Sequence, residues 1–271
     1  MGTPKLRLTP LSRIMREPVT IGAEEQATKA RKLMRDTMAR VIVVVDDRGK
    51  LLGWLKRTSI LSISSTKSEA LVKDIMEDPP FSLSDNSTVG DAFKLMRKYD
   101  EWYGVVVGPT REVLGIVGME DIVRLGLEEA REKLENVKVS DYMTRSVVYV
   151  KPDDFISSIW RLMQSLGYAG LPVVNERGRL VGIITQYDLI KKGYTRIELE
   201  SESGPRPGAR VRDAMTHSVV HVYPWTPLSE VAELIVERGF GRIPVVDGPR
   251  TRALIGVIDR EDVARAVLEL A

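Results

Sequence analysis

Short runs of apolar residues that end in a polar residue recur along the chain. One of them, Leu180–Ile184, is followed by Thr185, and a carboxylate comes three residues later at Asp188. Apolar runs of this length between polar residues are typical of buried strands, and the segment Tyr187–Lys192 predicts the start of a helix. Thr185 and Asp188 are therefore expected to lie together where a strand ends and a helix begins.

A junction of this kind offers unpaired backbone N–H groups and the positive end of a helix dipole. It can hold a phosphate, while a carboxylate beside it accepts hydrogen bonds from sugar hydroxyls. The same two side chains can instead simply cap the helix, because Thr and Asp are common in that role. The residues by themselves leave both interpretations open.

The hydrophobic and polar pattern as a whole repeats four times along the chain. Each copy opens on a short segment that ends in methionine, and these methionines are Met15, Met76, Met143 and Met215. A short extended stretch, an amphipathic helix, a two-strand hairpin and a closing helix follow. The pattern predicts an α+β fold of four β-α-β-β-α units at residues 1–68, 69–137, 138–203 and 204–271.

Apolar residues at helical spacing predict where the first helix of each unit lies. These helices are expected over Thr28–Met38, Val89–Met96, 156–166 and 228–235. Opening strands are expected at Val147–Val150 and Val219–Val222, and a helix at Glu128–Lys138. One unit is too small to bury both faces of its sheet, so units are expected to fold in pairs. The Ser-, Gly- and Pro-rich segment 200–208 and the segment 62–68 predict loops.

Composition excludes several classes of protein. Hydrophobic residues make up 43% of the chain, yet no apolar run approaches the length of a membrane span. The chain has no Cys, which excludes disulfides, thiolate catalysis and a zinc site built on Cys. His217 and His221 lack a third ligand for a metal. Without a membrane span or Cys, a cytoplasmic protein is expected. No catalytic constellation is visible, so we do not expect an enzyme. Few Asn and Gln and 29% charged residues favour a thermophile.

Charge is distributed unevenly between the first two units. Residues 1–68 carry 14 Lys and Arg against 6 Asp and Glu, whereas residues 69–137 carry 8 against 15. One interpretation is that neighbouring units pair their charges internally. The other is that the first unit faces an acidic partner such as RNA.

The four ordered copies resemble the CBS domain, named after cystathionine β-synthase. The resemblance covers nearly the whole chain and is carried by the repeated Asp-x-Met openers, the strands Leu171–Val174 and Ile243–Val246 with their Pro-Val-Val sequence, and the Gly-x-x-Thr-x-x-Asp signature at 182–188. It implies two CBS pairs, or Bateman modules, which bind an adenine nucleotide (AMP, ADP or ATP) in clefts between repeats.

The resemblance also implies roles for single residues. Thr185 is expected to hold phosphate and Asp188 the ribose, while Val148 and Val220 pack on the base. The other implied site residues are Tyr168, Ala169, Phe240 and Arg242. Arg242 lies where relatives often place a phosphate-binding Arg or His, although a plain surface charge is an equal alternative.

The other three copies of the signature are incomplete. Copy four keeps the carboxylate Asp262 but replaces the hydroxyl with Asp259, and copy two keeps Asp121 without the hydroxyl. Both carboxylates are also typical of a helix first turn. Copy one has neither feature and looks degenerate, although its Lys56 and Arg57 can be phosphate contacts or solvated charges. The aromatic pair Trp102–Tyr103 either plugs the cleft of copy two or offers a stacking surface. One good site is therefore expected, in the second pair.

Two functions fit this sequence. The first is a stand-alone regulator that binds adenine nucleotides and signals energy state to a partner protein. The second follows from the resemblance of some archaeal four-CBS proteins to ribosome hibernation or dimerisation factors. In that case the basic start of the chain would contact a ribosomal subunit or its RNA through Lys5, Arg7, Arg13 and Arg16. Whether two chains form a homodimer is left open.

Overall fold

The computed structural model describes residues 5–61, 69–194 and 208–270. The expected loop at 62–68, and nearly all of the one at 200–208, lie outside these residues. Within them the α+β fold with four repeats is confirmed.

Each repeat consists of a small sheet and its helices. Repeat 1 contains β1 (Thr20–Gly22), α1 (Ala27–Thr37), β2 (Val41–Val45), β3 (Leu51–Lys56) and α2 (Arg57–Leu61). Repeat 2 contains α3 (Val72–Ile75), β4 (Ser82–Ser84), α4 (Val89–Lys98), β5 (Tyr103–Val107), β6 (Val113–Gly118) and α5 (Met119–Glu129), and α6 (Arg131–Glu135) follows. Repeat 3 contains α7 (Val139–Tyr142), α8 (Ile156–Leu166), β7 (Gly170–Val174), β8 (Leu180–Thr185) and α9 (Gln186–Lys191). Repeat 4 contains α10 (Val211–Ala214), α11 (Leu228–Arg238), β9 (Arg242–Val246), β10 (Leu254–Asp259) and α12 (Arg260–Leu270). Short 3₁₀ turns at Lys5–Leu8 and Leu11–Arg13 precede β1.

The prediction of opening strands at Val147–Val150 and Val219–Val222 is wrong, because neither segment forms a strand. In repeat 1, β1 pairs in parallel with β2, and the N–H of Val43 donates to Val19 O at 2.8 Å. The equivalent residues of β7 and β9 are Pro172 and Pro244, which have no N–H to donate. The pairing there shrinks to single bridges, Val150 with Val173 and Val222 with Val245.

The methionine openers of repeats 2 to 4 are single helical turns, α3, α7 and α10. In each turn the Asp of the Asp-x-Met opener accepts a hydrogen bond from the backbone N–H three residues earlier, and for Asp213 the distance to Arg210 N is 2.8 Å. The carboxylate thus satisfies one of the free N–H groups of the helix start. The recurring Asp is therefore structural. The helix expected at Glu128–Lys138 is interrupted at Ala130, where φ is −141°.

Sheets join the repeats into two pairs, as expected. Val43, Trp54, Val105 and Ile116 are buried between the sheets of repeats 1 and 2. Backbone hydrogen bonds link the hairpins of each pair, for example Leu180 N to Arg252 O at 3.0 Å in the second pair. This arrangement agrees with the two pairs of repeats that the resemblance implies.

Helices then join the two pairs into a closed ring. One core contains residues of repeats 2 and 4, where α5 packs on α12 and α11. The other contains residues of repeats 1 and 3, where α2 and α1 pack on α9. Each repeat therefore contacts one neighbour through its sheet and another through its helices. The residues at the ring centre come from all four repeats.

Charges of the first two repeats pair internally. Arg13 bonds to Glu129, Arg16 lies 2.7 Å from Glu120, and Lys56 lies 2.7 Å from Glu101. These three ion pairs offset part of the positive excess of repeat 1. In the described part of the chain, no helix is both long and apolar enough to cross a membrane.

Candidate functional site

A cavity of about 420 Å³ lies inside the second pair and extends to the ring centre. Repeat 3 contributes the end of β8 and the start of α9, and repeat 4 contributes the segments before α11 and β9. Repeat 1 reaches in from the other pair through Met38, Arg40 and Arg57. The cavity is in the size range of pockets that enclose small ligands.

Thr185 and Asp188 line this cavity together. They also form a capping box on α9: Thr185 Oγ1 donates to Asp188 Oδ2 at 2.6 Å, and Asp188 N donates back to Thr185 Oγ1 at 3.1 Å. From repeat 4, Thr216 Oγ1 donates to Asp188 Oδ1 at 3.3 Å. Capping is therefore present, and both side chains still border open space where the predicted phosphate and ribose would lie.

Five arginines line the cavity against one carboxylate, that of Asp188, and they are Arg40, Arg57, Arg238, Arg242 and Arg260. Arg242 pairs with Asp259 and Arg260 pairs with Glu120, and the remaining excess of cations gives the cavity a positive potential. The arrangement is suited to an anionic ligand, and the planar fork of a guanidinium suits phosphate oxygens in particular.

Two of these arginines have backbone carbonyls as their hydrogen-bond acceptors. Arg57 donates to Met38 O at 2.5 Å and to Ala39 O at 3.1 Å, and Arg40 donates to Gly239 O at 2.6 Å. Burial, together with the nearby charge of Arg40, lowers the pKa of Arg57 to about 9. Burial and the charge of Arg260 likewise lower the pKa of Arg40. These lowered pKa values mean that the site favours an added negative charge.

Arg260 ties the cavity to the ring centre. Its guanidinium lies 2.7 Å from Glu120 Oε2, donates to Tyr103 Oη at 3.0 Å and donates to Gly239 O at 2.8 Å. Burial disfavours the charged form of Glu120, but Arg260 and Arg16 together lower the pKa of that carboxyl. Burial and the adjacent Glu120 raise the pKa of Tyr103 to about 12, which keeps its hydroxyl protonated.

Apolar and small residues form the remaining wall. Val219, Val220, Ile183, Ile243 and Phe240 line the cavity with Ala169 and Gly170. The predicted residues Val220, Phe240 and Ala169 are thus brought together with Thr185 and Asp188. A flat, largely apolar group such as a nucleobase fits against a wall of this kind.

Arg242 also lines the cavity, and its surroundings are more specific than those of a surface charge. Its guanidinium lies over the Tyr168 ring at 3.9 Å and bonds to Asp259 Oδ2 at 3.2 Å. Tyr168 borders a neighbouring cavity of about 290 Å³, which shares four residues with the first one: Arg40, Arg57, Ala169 and Arg242. Val148 is half-buried and packs against the core of repeats 1 and 3. The assignment of Val148 to a base stays a prediction.

Asp121 lies in the equivalent cleft of the first pair, where a cavity of about 180 Å³ is bordered by Arg16 and Glu120 but not by Asp121 itself. Its side chain is 1% exposed, and Arg16 and Arg124 donate to it at 3.2 Å and 2.9 Å. A ligand could reach Asp121 only by displacing Arg16, so its role in binding stays a prediction. Tyr103 is buried beside these groups, and both Trp102 and Tyr103 border the neighbouring cavity of about 290 Å³.

The remaining clefts carry charges of their own. In repeat 1, Ser59 Oγ donates to Glu77 Oε1 at 2.8 Å, and Lys56 is paired with Glu101 and Glu77. In repeat 4, Asp259 N donates to Asp262 Oδ2 at 3.1 Å, so Asp262 caps α12. Burial and the charge of Asp259 raise the pKa of Asp262 to about 7. Binding at Asp262 also stays a prediction.

Sequence reasoning missed Thr216 and Arg40. Thr216 directly follows the opener Met215, and in two other repeats the residue after the opener methionine likewise contacts the last residue of the partner's signature. Arg16 contacts Asp121, and Glu77 contacts Ser59. A small hydroxyl at this position leaves room for a ligand, and a long charged side chain does not. When the four repeats are aligned, the residue after the opener methionine occupies one position in each. The sequence alone does not show that this residue contacts a signature residue of another repeat.

Comparisons with known proteins agree with this architecture. The family model of the CBS domain matches residues 11–65, 72–128, 139–194 and 211–269. Protein MJ1225 of Methanocaldococcus jannaschii is 28% identical over 198 residues, which are 72% of this chain and 69% of MJ1225. MJ1404 of the same organism is 27% identical over 96% of this chain, and the match covers 62% of the length of MJ1404.

Two solved structures show the same fold over nearly the whole chain. The crystal structure of MJ1225 covers 95% of this chain and 99% of its own at 24% identity, with a TM-score of 0.82. A protein from Pyrococcus horikoshii covers 96% and 100% at 26% identity, with a TM-score of 0.65. The structure of CBSX2 in complex with AMP covers 49% and 98% at 31% identity, with a TM-score of 0.43. The four matches to the CBS-domain model together cover most of the chain. The chain therefore belongs to the CBS-domain family.

Proposed function

We propose that this protein is a regulator that binds one adenine nucleotide in the cavity of the second pair. The observation that carries the proposal is the division of that cavity into an apolar wall and a cluster of five arginines, with Thr185 and Asp188 between them. Arg242 and Arg260 already have carboxylate partners, but an uncharged nucleoside would add no negative charge for Arg40 and Arg57, and inorganic phosphate would leave the apolar wall empty. A nucleoside phosphate satisfies both parts.

The ligand would act by joining the two pairs of repeats. Its base and ribose would lie on repeats 3 and 4, while Arg40 and Arg57 of repeat 1 face the same space. A ligand that contacts both pairs in one arrangement stabilises that arrangement by its differential affinity. Binding would therefore change the affinity for a partner protein by linkage. This mechanism needs no catalytic step.

The proposal is tested by calorimetric titration and thermal unfolding with AMP, ADP, ATP and adenosine. We expect the three nucleotides to bind and to raise Tm, since a ligand at a hundred times its Kd adds about 2.7 kcal/mol of stability. Adenosine is expected to bind at least about tenfold more weakly, because it lacks the charge-assisted hydrogen bonds to arginine. If none of the three nucleotides binds, the proposal is wrong.

The variant Thr185→Ala with Asp188→Ala removes the predicted phosphate and ribose contacts, and we expect affinity to fall by about tenfold or more. The matched control is Thr88→Ala with Asp91→Ala, because those residues form the same capping box on α4 and lie outside the cavity. Both variants lose a helix cap, which costs about 1 kcal/mol. Equal loss of nucleotide affinity in the two variants would show that capping alone explains the effect.

A further inference from the structure

A separate, more open cavity of about 610 Å³ lies between α4, α12 and the turn Lys5–Leu8. We name it the α4–α12 groove. Five cationic side chains line it, and they are Arg7, Lys94, Arg97, Lys98 and Arg265. Asp91 and Glu269 are the two carboxylates in the same lining, so the groove carries an excess of positive charge.

The groove has an apolar part at one side. Leu8 is 64% exposed there, while Phe93 is buried beneath it. The position of Leu8 is fixed by its neighbour: Arg7 Nε donates to Leu268 O of α12 at 3.1 Å. The backbone of Arg7 also lies close against Gly90, where an added Cβ would come within 3.0 Å of Arg7 O. The exposed leucine is therefore held in place by α4 and α12.

Part of the positive charge is not held in an ion pair. Arg97 pairs with Glu261 at 3.0 Å, and Arg265 pairs with Asp262 at 3.2 Å. Lys94 and Lys98, one turn apart on α4, form no ion pair with any carboxylate in the described parts of the chain. Two exposed ammonium groups beside an exposed leucine are complementary to a segment that carries both carboxylates and an apolar side chain.

We propose that the α4–α12 groove docks an acidic segment of a partner protein, with an apolar side chain of that segment on Leu8 and its carboxylates on Lys94 and Lys98. A nucleic acid fits less well. Asp91 and Glu269 would repel its phosphates, whereas a peptide can direct backbone N–H groups at them. The aromatic side chain of the groove, Phe93, is 4% exposed and offers no surface on which a base could stack.

The test uses the full chain and a fluorescein-labelled peptide of about twelve residues in which glutamate and leucine alternate. Fluorescence anisotropy is expected to show binding that weakens with salt, and a twin peptide with lysine in place of glutamate is expected not to bind. Lys94→Glu with Lys98→Glu should weaken binding of the acidic peptide by about tenfold or more. Leu8→Ser should weaken it by a smaller factor that does not depend on salt.

The matched control is Lys29→Glu with Lys32→Glu, two exposed lysines on α1, the equivalent helix of repeat 1. It makes the same change in net charge away from the groove and is expected to bind the peptide like the unaltered protein. Equal weakening in the control would overturn the proposal, and so would absence of peptide binding. Binding of a labelled oligouridine that Lys94→Glu with Lys98→Glu abolishes, without peptide binding, would assign the groove to nucleic acid instead. None of these outcomes depends on a nucleotide in the second pair.

Discussion

A glycine opens each signature because a methionine of the partner repeat occupies the space beside it. A Cβ on Gly182 would lie 2.7 Å from Met215 Sδ and 3.2 Å from Thr216 O. Gly53, Gly115 and Gly256 face the openers Met76, Met15 and Met143 in the same way. The glycine that opens each signature and the methionine that ends each opener are therefore the two sides of one contact. That contact brings Thr216 to Asp188, and both residues border the cavity of the second pair.

Gly182→Ala is expected to destabilise the second pair by about 1–3 kcal/mol, because the new methyl group must displace both a methionine side chain and a carbonyl. Urea unfolding measures the change. Gly248→Ala is the control, since a Cβ there would meet nothing within 4 Å, and a shift of at most about 0.5 kcal/mol is expected. A Gly182→Ala protein as stable as the control would show that Met215 moves aside freely.

At the scale of elements, the two pairs are held together by helices that approach closely. A Cβ on Gly126 of α5 would lie 2.2 Å from Cγ2 of Val267 on α12. Val267 is fully buried, in the core of repeats 2 and 4. The absence of a side chain at Gly126 is what allows α5 and α12 to pack at this distance. This contact therefore fixes how repeat 2 meets repeat 4.

Gly126→Ala is expected to lower the free energy of unfolding by about 1–3 kcal/mol through overpacking against Val267. Val267→Ala opens a cavity and is expected to be destabilising on its own. In the double variant the added methyl group fills part of that cavity, so the loss should be smaller than the sum of the single losses by about 1 kcal/mol. Additive losses in a urea-unfolding cycle would contradict a direct contact.

Periodicity within one repeat was enough to predict the hairpins and the amphipathic helices, because their burial follows from local spacing. Residues whose conformation depends on another repeat were not predictable in this way. Pro172 and Pro244 belong to the Pro-Val-Val sequences that carry the resemblance to the family. Their structural effect is to remove the backbone N–H donors that would extend the opening strands. The pairing of Thr216 with Asp188 required knowing which repeat faces which. That Arg40 and Arg57 line the cavity could be predicted only by knowing that the two pairs close into a ring.

At the scale of the whole molecule, one helix connects the two sites proposed for this protein. α12 begins at Arg260, which lines the cavity proposed for the nucleotide, and five residues later presents Arg265 to the α4–α12 groove. The ion pair of Arg97 with Glu261 adds a second link, because it ties a residue of the groove to the first turn of α12. A ligand that immobilises the start of α12 therefore also immobilises one wall of the groove.

This connection predicts positive coupling between the nucleotide and the acidic peptide. A peptide that docks on a wall already ordered by AMP loses less conformational entropy, so its affinity should rise, by about fivefold or more. Titrations in the reverse order must give the same factor for AMP in the presence of peptide. Arg97→Gln cuts the link to Glu261 and leaves the nucleotide cavity intact, so AMP should still bind while the coupling factor moves toward one. If AMP leaves the peptide affinity unchanged in the unaltered protein, α12 does not transmit the signal, and the two sites work independently.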